Sequence, residues 1–127
     1  MKIKFDEQNR VFQLDTENTS YLIGIADQEG FIGHIYYGKK ISDSNVAYLM
    51  RTEENPLVPS KNNRDRSSFF DTFPMEFPGC NTGDYRESAV EVKDVNGHNA
   101  VELVYKGHRI LNGKPGLPGL PATFGTE

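Results

Sequence analysis

The sequence predicts an all-β fold: an antiparallel β-sandwich interrupted by one long irregular loop. Three observations predict it. Apolar residues recur at period two in short runs near both ends of the chain, turn-forming residues separate those runs, and no useful length carries helical periodicity.

Taken in order, KIKFD and VFQLDT with EQN between them predict an opening hairpin. SYLIGIAD sets Tyr21, Ile23 and Ile25 on one face and Leu22 on the other. DQEG predicts a tight turn into FIGHIYYGKKI, where Phe31, Ile35 and Tyr37 alternate against Ile32, His34 and Tyr36. Both faces of that run are partly apolar, which predicts a strand covered on both sides rather than an edge strand. SAVEVKDV and HNAVELVYKGHRIL, joined at Asn96-Gly97, predict a second strand pair, because Asn-Gly accepts positive φ and is a strong hairpin signal. The one helical candidate, NVAYLMRTEE, is short and poorly capped.

Between the two halves lies an irregular stretch, roughly 42–86, rich in Pro, Asn, Ser and aromatic residues. Structureless loops beyond about 15 residues are uncommon in compact domains and are usually functional or disordered. Phe69, Phe70, Phe73, Phe77 and Tyr85 argue against disorder, since five large rings left in water are unfavourable. The loop is therefore expected to pack, whether on its own sheet, on a further domain or on a partner subunit.

Composition narrows the functional classes. A length of 127 residues supports one core of ordinary size. A net charge of −4 gives no electrostatic footprint for nucleic acid or an anionic membrane surface. The opening residues MKIKFDEQNR lack the apolar run of a signal peptide, and no run approaches membrane-spanning length. Cys80, the single cysteine, cannot form an internal disulfide. The expectation is a cytoplasmic protein, in which the Asn18-Thr19-Ser20 sequon is idle.

Chemistry within the chain is sparse. His34, His98 and His108 lie in different elements without the short spacing of a zinc ligand set, so neither a metal site nor a cofactor is expected. His34 reads as a hydrogen-bonded packing residue and His98 as a solvent-exposed residue after a turn. No GxSxG elbow is present, and Cys80 in PGCNTG has no base nearby in sequence. The loop carboxylates Glu53, Glu54, Asp65, Asp71, Glu76 and Asp84 are numerous enough for glycosidase chemistry, which needs two at a fixed separation. Pairing with Arg64, Arg66 or Arg86 is the commoner explanation, and Asp84 with Arg86 reads as an ion pair fixing the loop. The closing GKPGLPGLPATFGTE is too short and irregular for collagen and reads as an extended connector, whose Leu117, Leu120 and Phe124 need a surface to lie on.

Several segments together resemble one family. FQLDTENTSYLIGI, GHIYYGKKI, RDRSSFFDTFPMEFPGCNTGDYRESAVEV and VELVYKGHRILNGKPGLPGLPATF, in that order and spacing, resemble the amino-terminal region of the bacterial α-galactosidases of glycoside hydrolase family 36. The most specific parts are GDYRESA and HRILNGKPGLPGLPAT, similar to the family patterns GDFR-x-PA and H-R-I-x-x-GKP-x-L-x-GLPAT. Ser88 stands where the family usually has proline, and in FPGC glycine follows Pro78 where the family commonly has an aromatic.

The resemblance implies a β-supersandwich domain, of which residues 1–127 form the amino-terminal part, followed in the family by a (β/α)₈ catalytic barrel and a small carboxy-terminal β-domain. It implies hydrolysis of terminal α-galactosides of the melibiose and raffinose type, with retention and without a metal. The family's catalytic aspartates lie in KWD-type and SCSGGG-type motifs on the barrel, and neither motif occurs here, so no catalytic residue is expected in this chain. Family oligomers place the amino-terminal domain beside a neighbour's active site, which makes Glu54 and Arg66 candidates to bind a galactose-containing oligosaccharide in trans within a homo-oligomer. The competing readings are a stand-alone carbohydrate-binding or adhesive β-sandwich without catalysis, and a purely structural oligomerisation domain.

Overall fold

The computed structural model describes residues 2–42, 45–52, 68–80 and 83–121. Its regular part is a four-stranded antiparallel meander in the order β1-β2-β3-β4. The strands are β1 (Lys2–Asp6), β2 (Val11–Asp15), β3 (Thr19–Ile25) and β4 (Ile32–Lys39), followed by a single 3₁₀ turn at Ala47–Leu49. The all-β expectation holds, and the weak helical segment yields only that one turn.

Each hairpin is closed by a polar residue that fixes its own turn. In the first, Asp6 pairs with Val11, and Asp6 Oδ1 accepts from Gln8 N and Asn9 N at 3.0 and 3.1 Å. Those bonds let Arg10 hold a φ of 55°. The Asn9 side chain, the largest influence, holds the Asp6 carboxyl below its ordinary value. The second turn is organised by Thr16, whose N and Oγ1 face Thr19. In the third, Asp27 Oδ1 accepts from Glu29 N at 2.9 Å and Gly30 takes a φ of 74° that a side chain would resist.

Register sorts the side chains. Phe5, Phe12 and Ile23 face one side, and Val11, Gln13 and Leu22 face the other. On the Leu22 side, Val11, Leu22 and Val46 form a core flanked by Ile35, Tyr36, Ile41 and Ala47. Complete burial of Leu22 contributes roughly 1.5–3 kcal/mol. A polar patch continues that face: Ser20 Oγ donates to Asp15 Oδ1 at 2.6 Å and accepts from Ile41 N at 3.1 Å, while Gln13 Nε2 reaches both Asp15 oxygens at 3.1 Å. Every member of this buried group is paired, as burial of polar atoms requires.

β4 differs from the expectation in two ways. Strict alternation is broken by an irregularity opposite Leu22/Ile23, so His34 pairs with Ile23 but Tyr36 with Leu22 and Tyr37 with Tyr21. The extra residue, Ile35, is accommodated because a bulge adds one residue to one strand and resets the period. β4 is also the last strand of the sheet, not an interior one. Its apolar double face arises because Phe73 covers one side while Pro74–Glu76 lies along its edge, bridged from Gly33 to Met75.

The second strand pair does not form. The Asp94–His98 turn is present, with Gly97 N donating to Asp94 O and Asp94 N to His98 O. Its arms then separate, since Ala89 N bonds Pro78 O, Val101 N bonds Cys80 O and Tyr105 N bonds Gly30 O. Most of 87–121 lies outside regular secondary structure and is exposed. The described part of the loop around 68–76 packs on the chain's own sheet: Phe69 and Phe73 are buried, and Ala26, Phe31 and Phe73 form a second core with Met50, Phe70 and Met75. Phe77 and Tyr85, expected to pack with them, are 53% and 90% exposed.

Candidate functional site

Glu54 and Arg66, the residues singled out for sugar binding, lie outside the described residues. What the structure gives is the ground on either side of them. On the carboxy-terminal side, Ser68 N and Oγ donate to the Asp27 carboxylate at 2.9–3.0 Å, tying the chain to the β3–β4 turn. Arg10 Nη1 donates to Asp27 O at 2.7 Å and braces the same turn. On the amino-terminal side, Met50 packs into the space above Gly24.

The expected pairing of Asp84 with Arg86 is present and does more than link the two. Arg86 Nε donates to Asp84 Oδ1 at 2.8 Å, and its two terminal nitrogens donate to Phe73 O and Phe70 O. The planar guanidinium can satisfy three acceptors at once, which a lysine ammonium on its flexible stem could not reproduce in this geometry. The fork stitches the 69–73 turn in place, and the Phe73 ring then fills the space above Gly33, where a Cβ would overlap it.

The remaining titratable groups fall into separate places. His108 stacks against Phe5 and Phe12 at ring separations of 4.5 and 4.8 Å and its Nδ1 meets Tyr105 OH at 2.8 Å. His98 is exposed, as expected, and faces Asp94 at 3.1 Å. Backbone N–H donation from His98 leads the contacts that hold the Asp94 carboxyl below its ordinary value. Cys80 is exposed. Among the described residues no three His, Cys, Asp or Glu side chains gather as metal ligands, and no helix is long and apolar enough to cross a membrane.

One cluster was not anticipated. Tyr21 OH donates to Glu76 Oε1, and His34 Nδ1 stands 3.6 Å from the same oxygen. The Tyr21 ring also meets His34 at 5.8 Å and Tyr37, edge to face, at 6.1 Å. Burial, then the bond to Glu76, pushes the Tyr21 hydroxyl up, so it stays a donor. His34 thus faces a carboxylate rather than a packed interior and keeps 43% of its side chain exposed. The 55-residue gap between Tyr21 and Glu76 hides the contact, and the register pairs His34 with Ile23 and Tyr21 with Tyr37.

On the Phe12 face an apolar cavity of about 400 Å³ lies between the sheet and the 105–115 segment, lined by Ile3, Phe12, Leu14, Ile23, Ile32 and Tyr105 among others. A neighbouring cavity of about 330 Å³ shares Ile23 and Ile32 and is walled by Met75, Phe77, Leu103 and Val104, with Glu76 beside it. Apolar walls of this kind suit apolar side chains and offer few polar groups to orient a sugar.

Comparison with known proteins places these features in a wider frame. The glycosyl hydrolase family 36 N-terminal domain matches residues 30–127. The bifunctional alpha-galactosidase/sucrose kinase AgaSK of Mediterraneibacter gnavus is 33% identical over 100% of this chain and 14% of its own length. Alpha-galactosidase AgaA of Geobacillus stearothermophilus is 33% identical over 98% of the chain and 17% of its own. In three dimensions the galactosidase domain of AgaSK superposes with a TM-score of 0.81 at 32% identity, covering 98% of this chain and 17% of that one. An AgaA variant solved in complex with raffinose gives 0.73 at 33% identity over 92% of this chain and 16% of that one. The chain spans about one-sixth of the length of these relatives.

Proposed function

The chain belongs to the glycosyl hydrolase family 36 N-terminal domain family, and we propose that it is the amino-terminal, non-catalytic part of a retaining α-galactosidase acting on terminal α-galactosides of the melibiose and raffinose type. One observation carries this reading: a likeness at 32% identity and a TM-score of 0.81 runs through 98% of the chain, against a galactosidase domain about six times longer. The layout of the chain supports it. Its apolar cavities and exposed apolar arms suit contact with other polypeptide.

In this reading residues 1–127 form the first part of a β-supersandwich, and the catalytic barrel and a small carboxy-terminal β-domain belong to further sequence. The protein works in the cytoplasm as a homo-oligomer, without a metal or other cofactor, and binds neither nucleic acid nor membrane. Glu54 and Arg66 face the galactose-containing oligosaccharide in a neighbouring subunit.

The test is turnover of a chromogenic α-galactoside. The purified 127-residue chain should give none, and the native protein, detected in its source cells by antibody against this chain, should be several times heavier and active. Turnover by the chain alone, or a native species of its own mass, contradicts the reading; the latter would favour a stand-alone sugar-binding sandwich. In the active protein Glu54→Ala should raise KM or lower kcat at unchanged stability, and unchanged kinetics removes Glu54 from the site.

A further inference from the structure

The sheet has two outer strands, and they are protected differently. β1 interleaves Lys2, Lys4 and Asp6 with its apolar residues, and charges on an outer strand oppose pairing with another chain. Residues 32–38 of β4, IGHIYYG, contain no Lys, Arg, Asp or Glu. The edge of β4 is instead occupied by Pro74–Glu76: His34 N donates to Pro74 O and Glu76 N to Ile32 O, both at 2.8 Å.

Three contacts hold that strap. The Phe73 ring sits over Gly33, the Arg86 fork grips Phe70 O and Phe73 O, and Glu76 accepts from Tyr21 beside His34. Only the last touches β3, β4 and the strap together. It is also the weakest built of the three, because Glu76 Oε2 is buried without a hydrogen-bond partner and the carboxylate is fastened through Oε1 alone. A buried acceptor left without a donor destabilises the arrangement that buries it.

We infer that the Tyr21–Glu76–His34 cluster is the latch of an edge guard, and that its release opens β4 to antiparallel pairing with β4 of a second copy of this chain. The second copy fits because the uncovered stretch is uncharged, and a strand pairing antiparallel with its own image makes a closed twofold contact. Tyr37, 69% exposed within that stretch, supplies an aromatic surface for the facing strand. The inference stands apart from the enzymatic reading and does not depend on it.

Amide exchange by NMR and sedimentation of the 127-residue chain test it together. In Tyr21→Phe and Glu76→Ala the His34 and Glu76 amides should exchange about tenfold faster, the loss of one hydrogen bond. The Ile25 amide, bonded to Arg10 O, should not change. Glu76→Gln can still accept from Tyr21 and should behave as the parent. Both releasing variants should self-associate more than the parent, and adding Tyr37→Lys should reverse that. Unchanged exchange at His34 and Glu76 overturns the latch. Faster exchange without association, or association indifferent to Tyr37→Lys, overturns the pairing. If Glu76→Ala also loses protection at Ile25, Tyr21→Phe alone decides.

Discussion

Residues 2–41 and residues 87–121 both carry apolar side chains at alternate positions between turn residues, and they end in different states. In the first region each strand finds its neighbour within a few residues, and the Leu22 face closes on Val11, Val46 and Ile35. In the second the turn forms but its arms reach away to Pro78, Cys80 and Gly30, leaving Val92, Leu111 and Leu117 half exposed or more. A good turn is therefore not enough to make a hairpin. Two strands without a covered apolar face are marginal in water, whereas the meander gains a third and fourth strand and a core. The second region leaves many of its apolar side chains half exposed or more.

The largest expected effect comes from uncovering the first region. Phe73→Ala removes the ring over Gly33 and should cost about 3–5 kcal/mol in urea unfolding. Val92→Ser or Leu117→Ser, large apolar losses on paper, should stay within about 0.5 kcal/mol, because both side chains already stand in water. Equal losses in the two regions would break the comparison. Ser20→Ala comes next. It strips a donor from Asp15 and an acceptor from Ile41 N, and should cost about 1–3 kcal/mol.

A smaller effect sharpens the contrast through pH. Ser20 first, then Gln13, holds the Asp15 carboxyl below its ordinary 3.8. A depressed folded value means that Asp15 stabilises the fold fully above that ordinary value and loses its contribution as pH falls through the folded one. Unfolding midpoints should therefore fall on the acid side, and Asp15→Asn should flatten that slope. Asp94 is depressed too, but in the second region. Asp94→Ala should loosen amide protection at Asn96 and His98 while leaving the global midpoint unchanged, the smallest effect of the series.

The legible parts of the fold were local. EQN, DQEG and Asn96-Gly97 announce their turns because Asp6, Asp27 and Asp94 bond the backbone two or three residues on. The bulge at Ile35 was not legible, since period two cannot reveal an added residue before the partner strand is known. Phe69 and Phe73 were readable as buried, but the same argument misjudged Phe77 and Tyr85, whose sequence neighbourhood is no different. The Asp84–Arg86 pair lies two residues apart and could be seen, whereas Tyr21 with Glu76 joins distant segments through tertiary packing and could not.

The division into a self-sufficient and a dependent region is tested most directly by hydrogen exchange along the whole 127-residue chain. Amides of β2 and β3 should be protected to the level of global unfolding, while those of 90–95 and 109–121 exchange near the rate of an unstructured peptide outside their turns. Protection across 88–95 and 98–104 equal to that of β2 and β3 would mean that the second strand pair completes itself, and the account would be wrong.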